Sequence, residues 1–267
     1  SPSGHFTPVI SKQSRSDSLG WRESRLVHCW MQRRSPPNQR KRRDILGMFS
    51  ALIFDFDGLI LDTEVPVFEA WRENYDAHGH DLPVETYVGC VGSDFEGFDP
   101  RGHLDSLVAE PVDWEHWDRR RKKKERSLIS KLEPLPGIIA LLEEACDLGT
   151  PCVVASSSPR SWVEGHLARH GLLERFVTTC CLDDVDSPKP APDLFHAAAN
   201  AVGVDEKDAL VLEDSLNGLL AATAAGIDCV IVPNRVTECL EFPGALAVLD
   251  SLEAISLYHL AELRANP

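Results

Sequence analysis

The 267-residue chain has the 43% hydrophobic and 26% charged content of an ordinary globular protein, and length for one large or two modest domains. No apolar run approaches the roughly 18 residues that cross a bilayer, and a net charge of −15 disfavours nucleic acid as the main partner. The eight cysteines are scattered without a C-x-x-C pair. They point to free thiols in a reducing, cytoplasmic setting rather than to a disulfide frame or zinc site.

The charge is uneven. Residues 1–47 carry ten Lys/Arg against three Asp/Glu, are rich in Ser and Arg, and lack apolar periodicity. They are expected to be disordered. Their composition fits a basic arm or a transit peptide. However, Met48 lies just before the first apolar run and is expected as the natural start or fold boundary.

The fold then begins. Ala51-Leu-Ile-Phe54 reads as a fully buried parallel strand, and Asp55-Phe-Asp-Gly-Leu-Ile-Leu-Asp-Thr-Glu64 follows it. Two carboxylates at the end of a buried strand are costly unless they hold a cation or a reacting group. Pro66 falls in the first turn of a helix running to His78, with Val67, Phe68, Trp71 and Tyr75 as its apolar stripe. His78 and His80 flank a glycine and read as loop residues. Pro83, Gly89, Gly92, Gly97, Pro100 and Gly102 break positions 81–112 into short pieces. Asp113 to Lys131 reads as a helix whose run Arg119–Lys124 is a solvated face or a steering patch for anions.

After Pro134-Leu-Pro-Gly137, strands and helices alternate. The predicted strands are 152–155, 176–179, 209–212, 229–232 and 246–249. The predicted helices cover about 137–148, 160–170, 192–202, 216–225 (capped by Ser215) and 252–264. This pattern implies a doubly wound, Rossmann-like parallel sheet. The expected domains are a core of residues 48–64 and 134–267 and a helical cap inserted at 65–133.

Strand ends far apart in sequence finish in polar residues: Asp55 and Asp57, Ser156, and Glu213 and Asp214. Lys189 sits in the proline-stiffened loop Ser187–Asp193. A doubly wound sheet gathers these at one edge, where ligands bind. Cleavage of a phosphate monoester, which enzymes accelerate by up to about 10²¹-fold, needs each of these parts. A cation suited to carboxylates neutralises the phosphoryl oxygens. A lysine and a hydroxyl bind them. A second carboxyl manages the proton.

Asp55-Phe-Asp-Gly-x-x-x-Asp-Thr-Glu64, Ser156, Lys189 and Glu213-Asp-Ser-x-x-Gly218 resemble the four motifs of the haloacid dehalogenase superfamily, closest to its phosphatase and β-phosphoglucomutase branch. The resemblance runs over roughly residues 50–235. It implies Asp55 as nucleophile, Asp57 as general acid/base, Ser156 as phosphate-oxygen donor and Lys189 as charge stabiliser. It also implies Mg²⁺ held by Asp55, the Asp57 carbonyl and Asp214, with Glu213 binding directly or through water. The acid at Asp57 argues against the halide-releasing members.

The implied activity is hydrolysis of a small phosphorylated metabolite, a sugar or polyol phosphate, by a monomer or weak dimer. A sugar phosphomutase and a non-catalytic phosphate-binding or regulatory protein are the alternatives. Mutases carry a histidine near Val67 and an arginine near Gly92-Ser-Asp94, and this chain has neither. Arg101 and His103 are candidate replacements. Asp62 and Thr63 are read as bonding the backbone of the turn, and Asn217 and Gly218 as shaping a helix start. Ser157 and Ser158 are read as phosphate donors or helix caps, Asp183 and Asp184 as solvated acids, and Phe68, Trp71, Tyr75 and Trp114 as cap core.

Overall fold

The computed structural model describes residues 49–91 and 97–266. The expectations for residues 1–47, Met48 and Gly92-Ser-Asp94 lie outside the described residues. Six strands form one parallel sheet: β1 (Ala51–Phe54), β2 (Cys152–Ala155), β3 (Thr178–Cys180), β4 (Ala209–Glu213), β5 (Asp228–Ile231) and β6 (Ala247–Val248). Their spatial order is β3-β2-β1-β4-β5-β6. The chain therefore winds outward from β1 in both directions, and β1 is the switch point where such sheets open a crevice.

Alternate residues of each central strand face opposite layers because the strand period is two. Leu52, Phe54, Val154, Leu210 and Leu212 pack on one side with Ile138, Leu141 and Leu142 of α5 (Ile138–Leu148) and Leu257 and Leu260 of α9 (Leu257–Ala265). Ile53, Val153, Ala155, Val211 and Ile231 face the other side, against α7 (Asp193–Val202) and α8 (Leu216–Ala225). The near-continuous apolar runs of the sequence are thus strands covered on both faces.

Between β1 and α5 lie α1 (Glu64–Ala77), α2 (Val84–Tyr87), α3 (Pro100–Leu107) and α4 (Trp114–Ile129). They enclose an apolar cluster of their own, with Phe68, Trp71, Tyr75, Leu82, Tyr87 and Leu104 at its centre. Trp114 packs at its edge, its ring 6.2 Å from that of Trp71. Among the described residues, links between this layer and the sheet layer include Asn217, which donates to the Val91 carbonyl (3.0 Å), the Arg235–Glu69 pair (3.1 Å), the Arg169 guanidinium on the Ser130 carbonyl, and Val236, which completes the helical cluster.

The basic run departs from its expected role. Arg120 and Lys124 both pair with Glu73 of α1, at 2.8 and 2.5 Å. Arg121 is only 14% exposed, pairs with Glu125 and stacks 4.4 Å over the Trp71 ring. Half of the run therefore fastens α4 to α1. A helix turns 100° per residue, so consecutive charges reach both the partner helix and the solvent.

Two boundaries also moved. The last helix starts at Leu257 rather than near 252, because Ser256 accepts from the His259 amide and the Leu257 amide donates to Glu144 (2.8 Å). β3 starts at Thr178 rather than 176. A 3₁₀ turn over Leu173–Arg175 precedes it, and Phe176 is used edge-on against Phe54, with ring centres 5.6 Å apart. The seven described cysteines are all free thiols. Among the described residues no helix is long and apolar enough to cross a membrane.

Candidate active site

Parallel pairing sets the site. Phe54 lies in register with Val154 and Leu212, and Ala155 with Cys180. The next residue on β1 is Asp55, and the next on β2 is Ser156. β4 ends at Glu213 with Asp214 following. All of them emerge at the carboxyl edge beside the switch point, as the sequence motifs require. Lys189 reaches the same place from the loop before α7, its amide fixed by Ser157 Oγ at 3.2 Å.

Lys189 is 3% exposed, and its ammonium donates to Asp55 Oδ1, to Glu213 Oε1 (2.7 Å) and to the Ala155 carbonyl (2.8 Å). Its charge also lies 4.9 Å from the centre of the Phe195 ring. Three donors with three acceptors leave the ammonium satisfied and orient it toward the Asp55 carboxylate. Its two carboxylate partners outweigh burial and hold its pKa above the ordinary lysine value.

Glu213 is fully buried and its other oxygen accepts from the amides of Asp214 and Ser215 (both 2.9 Å) and from Ser215 Oγ (3.0 Å). Gly218 leaves room for this carboxylate: a β-carbon there would lie 1.8 Å from Glu213 Cδ. Gly218 thus does more than shape the helix start, although Ser215 Oγ does cap it through the Gly218 amide (3.1 Å).

Asp214 Oδ2 accepts from Asn234 Nδ2 at 2.7 Å. Asn234 is itself locked by the amides of Val236 and Thr237. Gly58, at φ +89°, is the turn residue whose β-carbon would meet Asp214 Oδ2 at 2.2 Å. Asp55, Glu213 and Asp214 each bring a carboxylate oxygen within 4.8 Å of the others.

Burial, with Glu213 and Asp57 close by, pushes the Asp55 carboxyl up to about 8. Asp214 is raised by burial and by Glu213, Asp55 and Glu64. A set of buried carboxylates that crowds itself in this way, with one lysine among them, fits a hard divalent cation taking oxygen ligands.

Asp57 lies beside this cluster. Its Oδ1 accepts from Thr63 Oγ1 (2.8 Å) and Trp162 Nε1 (2.9 Å), and its Oδ2 from Ser158 Oγ (2.6 Å) and Ser156 Oγ (3.3 Å). Thr63 therefore bonds Asp57, which corrects its reading as a backbone-turn residue; Asp62 does serve the turn, through the Val65 amide. Asp183 and Asp184 bind the Arg160 amide and guanidinium at the start of α6 (Arg160–Arg169), away from the acidic cluster. Both acids remain exposed, as expected of solvated groups, while Asp184 also accepts from the Cys181 amide (2.8 Å).

A cavity of about 390 Å³ opens above these groups. Glu64, Val67, Tyr87, Cys90 and Val91 wall it from the helical layer, and Trp162, Leu182 and Pro188 from the sheet layer. Arg101 and His103 are engaged elsewhere. Arg101 stacks on Trp114 at 4.8 Å, and His103 Nδ1 meets the Tyr75 hydroxyl at 2.9 Å. Sequence reasoning missed Trp162, Asn234 and Glu64. Glu64 was visible as the last residue of the first motif, whereas the other two stand in unremarkable helix and loop sequence.

The family model described as haloacid dehalogenase-like hydrolase matches residues 52–232. YhcW of Bacillus subtilis (strain 168) is 39% identical over 210 residues, covering 79% of this chain and 95% of its own. The fructose-1-phosphate phosphatase YqaB of Escherichia coli (strain K12) is 33% identical over 189 residues, covering 69% and 96%. Among solved structures, CbbY from Rhodobacter sphaeroides in complex with xylulose-(1,5)bisphosphate superposes with a TM-score of 0.63 at 28% identity, covering 80% and 99%.

Burial first, and then the charges of Asp57, Asp55, Asp62 and Glu213, push the Glu64 carboxyl from 4.5 up to about 8. Between those values the folded chain holds a proton that the unfolded chain has lost, so this group makes stability fall as pH rises from 4.5 to about 8. Glu64→Gln removes the effect. Its melting temperature is expected to gain on that of the wild type through this window and to lead most above it. Parallel melting curves against pH would contradict the raised carboxyl.

Proposed function

The chain belongs to the haloacid dehalogenase-like hydrolases, as a phosphoric monoester hydrolase, and from that premise we propose that it is a Mg²⁺-dependent phosphatase of small sugar or polyol phosphates. One observation carries the reading. Buried carboxylates from adjacent strands meet a buried lysine at the floor of a cavity sized for a small metabolite.

Asp55 is the nucleophile. Its carboxylate attacks phosphorus, and the alkoxide leaves with a proton from Asp57. Asp57 then takes a proton from the water that hydrolyses the aspartyl-phosphate. Ser156 Oγ and Lys189 bind the phosphoryl oxygens, and Lys189 is already aimed at Asp55. Asp55, the Asp57 carbonyl and Asp214 hold the metal, which when bound neutralises phosphoryl charge. Glu213 has its oxygens engaged by Lys189, two amides and Ser215 Oγ, so it serves Lys189 directly and the metal through water.

Residues 65–133 act as the cap that closes over the substrate and limits bulk water. Hydrolysis is favoured over phosphomutase transfer by Val67, which lines the cavity where the resembling mutases carry a histidine. The sugar-phosphate class is supported by the substrate for which YqaB is named.

Inorganic phosphate release from a panel of sugar and polyol phosphates, with Mg²⁺ or EDTA, tests this reading. Asp55→Asn is expected to abolish release while the protein remains folded; appreciable turnover by that variant would sink the covalent route. Asp214→Ala is expected to raise the Mg²⁺ concentration for half-maximal activity by about tenfold or more. An unchanged titration would remove Asp214 from the metal site.

A further inference from the structure

The two oxygens of Asp57 have different surroundings. Oδ2 is met by the hydroxyls of Ser158 (2.6 Å) and Ser156 (3.3 Å). A hydroxyl donates or accepts as required, so both states of a protonating carboxyl are served there. Oδ1 is met by the Thr63 hydroxyl (2.8 Å) and by the Trp162 indole N–H (2.9 Å). An indole N–H only donates, so a proton on Oδ1 would face the indole hydrogen.

The indole is held firmly. Its ring lies 4.4 Å from that of His166, edge to face, and His166 rests on Phe56 at 6.2 Å. The helix that carries Trp162 is anchored at its first residue by Arg160, which pairs with Glu164, Asp184 and the Thr179 side chain. Ser156 lies in the short segment between β2 and the same helix, so the Oδ1 donor and the phosphate-binding hydroxyl come from one stretch of chain.

We propose that Trp162 is a positioning residue that pins Asp57 Oδ1, so that Asp57 exchanges its proton through Oδ2, the oxygen beside Ser156. The proposal rests on the phosphatase reading above. In the first half-reaction the Oδ2 proton passes to the bridging oxygen of the ester. The bond from that oxygen to phosphorus breaks as the Asp55–phosphorus bond forms. In the second, Oδ2 takes a proton from water. The water oxygen bonds to phosphorus, the Asp55–phosphorus bond breaks, and inorganic phosphate leaves. Binding of substrate draws Ser156 Oγ from Oδ2 to a phosphoryl oxygen, which opens one side of Oδ2 for these transfers with Ser158 Oγ still on the other, while Oδ1 stays tethered.

Trp162 also walls the cavity, so two variants separate its N–H from its ring. Trp162→Phe keeps an aromatic wall and loses the donor. It is expected to lower kcat by about tenfold or more with KM within about twofold, the loss of one charge-assisted hydrogen bond felt during proton transfer. Trp162→Gln keeps an N–H donor and loses the ring; kcat is expected within about threefold of wild type, with KM raised. Thermal melts establish that each variant folds.

An unchanged kcat in Trp162→Phe, or equal loss of kcat in both variants, would overturn the proposal. If Trp162→Phe does not fold, Trp162→Leu takes its place as the donor-free variant: a loss of kcat of about tenfold there with kcat retained in Trp162→Gln supports the pin, and equal kcat in the two overturns it. Wild-type protein that releases no phosphate from any substrate defeats the phosphatase reading instead, so the two failures are distinguishable.

Discussion

Lys189 is wedged between Asp55 and Glu213 in a space that water hardly reaches, and the chemistry of the carboxyl edge is arranged around that contact. Removing one partner of a buried charge pair costs about 3–5 kcal/mol, because the charge left behind has no water to turn to. The lysine therefore fixes the position of the Asp55 carboxylate and its own. Glu213 is the anchor of the arrangement. One oxygen holds the ammonium, and the other is tied to the amides and hydroxyl of the turn after β4.

That triad depends on backbone room. At Gly58 and Gly218 a methyl group would collide with Asp214 and Glu213 respectively. These are the two acids that flank the end of β4. Burial first, and then the neighbouring carboxylates, raise the pKa of both Asp55 and Asp214, a pattern common at functional sites. A divalent cation among these oxygens would offset that crowding.

The helical layer is built on different physics. Its aromatic cluster is flanked by Arg120, Arg121 and Lys124 of α4, which fasten that helix to α1. Its links to the sheet layer include polar contacts such as Asn217 with Val91 and Arg235 with Glu69. An exposed ion pair such as Arg235 with Glu69 contributes little.

Local sequence determined the strands, most helices and the gathering of Asp55, Ser156, Glu213 and Asp214, because buried parallel strands are continuous apolar runs and each ended in a polar residue. The motif also marked Lys189, whose default reading alone is a surface lysine. The tertiary structure decided the partners. Trp162 reaches Asp57 across 105 positions, and Asn234 reaches Asp214 from a loop with no motif of its own. The run Arg119–Lys124 divides between solvent and α1 only once α4 has docked. Periodicity and motifs record what a residue must be within its own element. Which side chain meets it from another element depends on packing angles and register that accumulate over the whole chain.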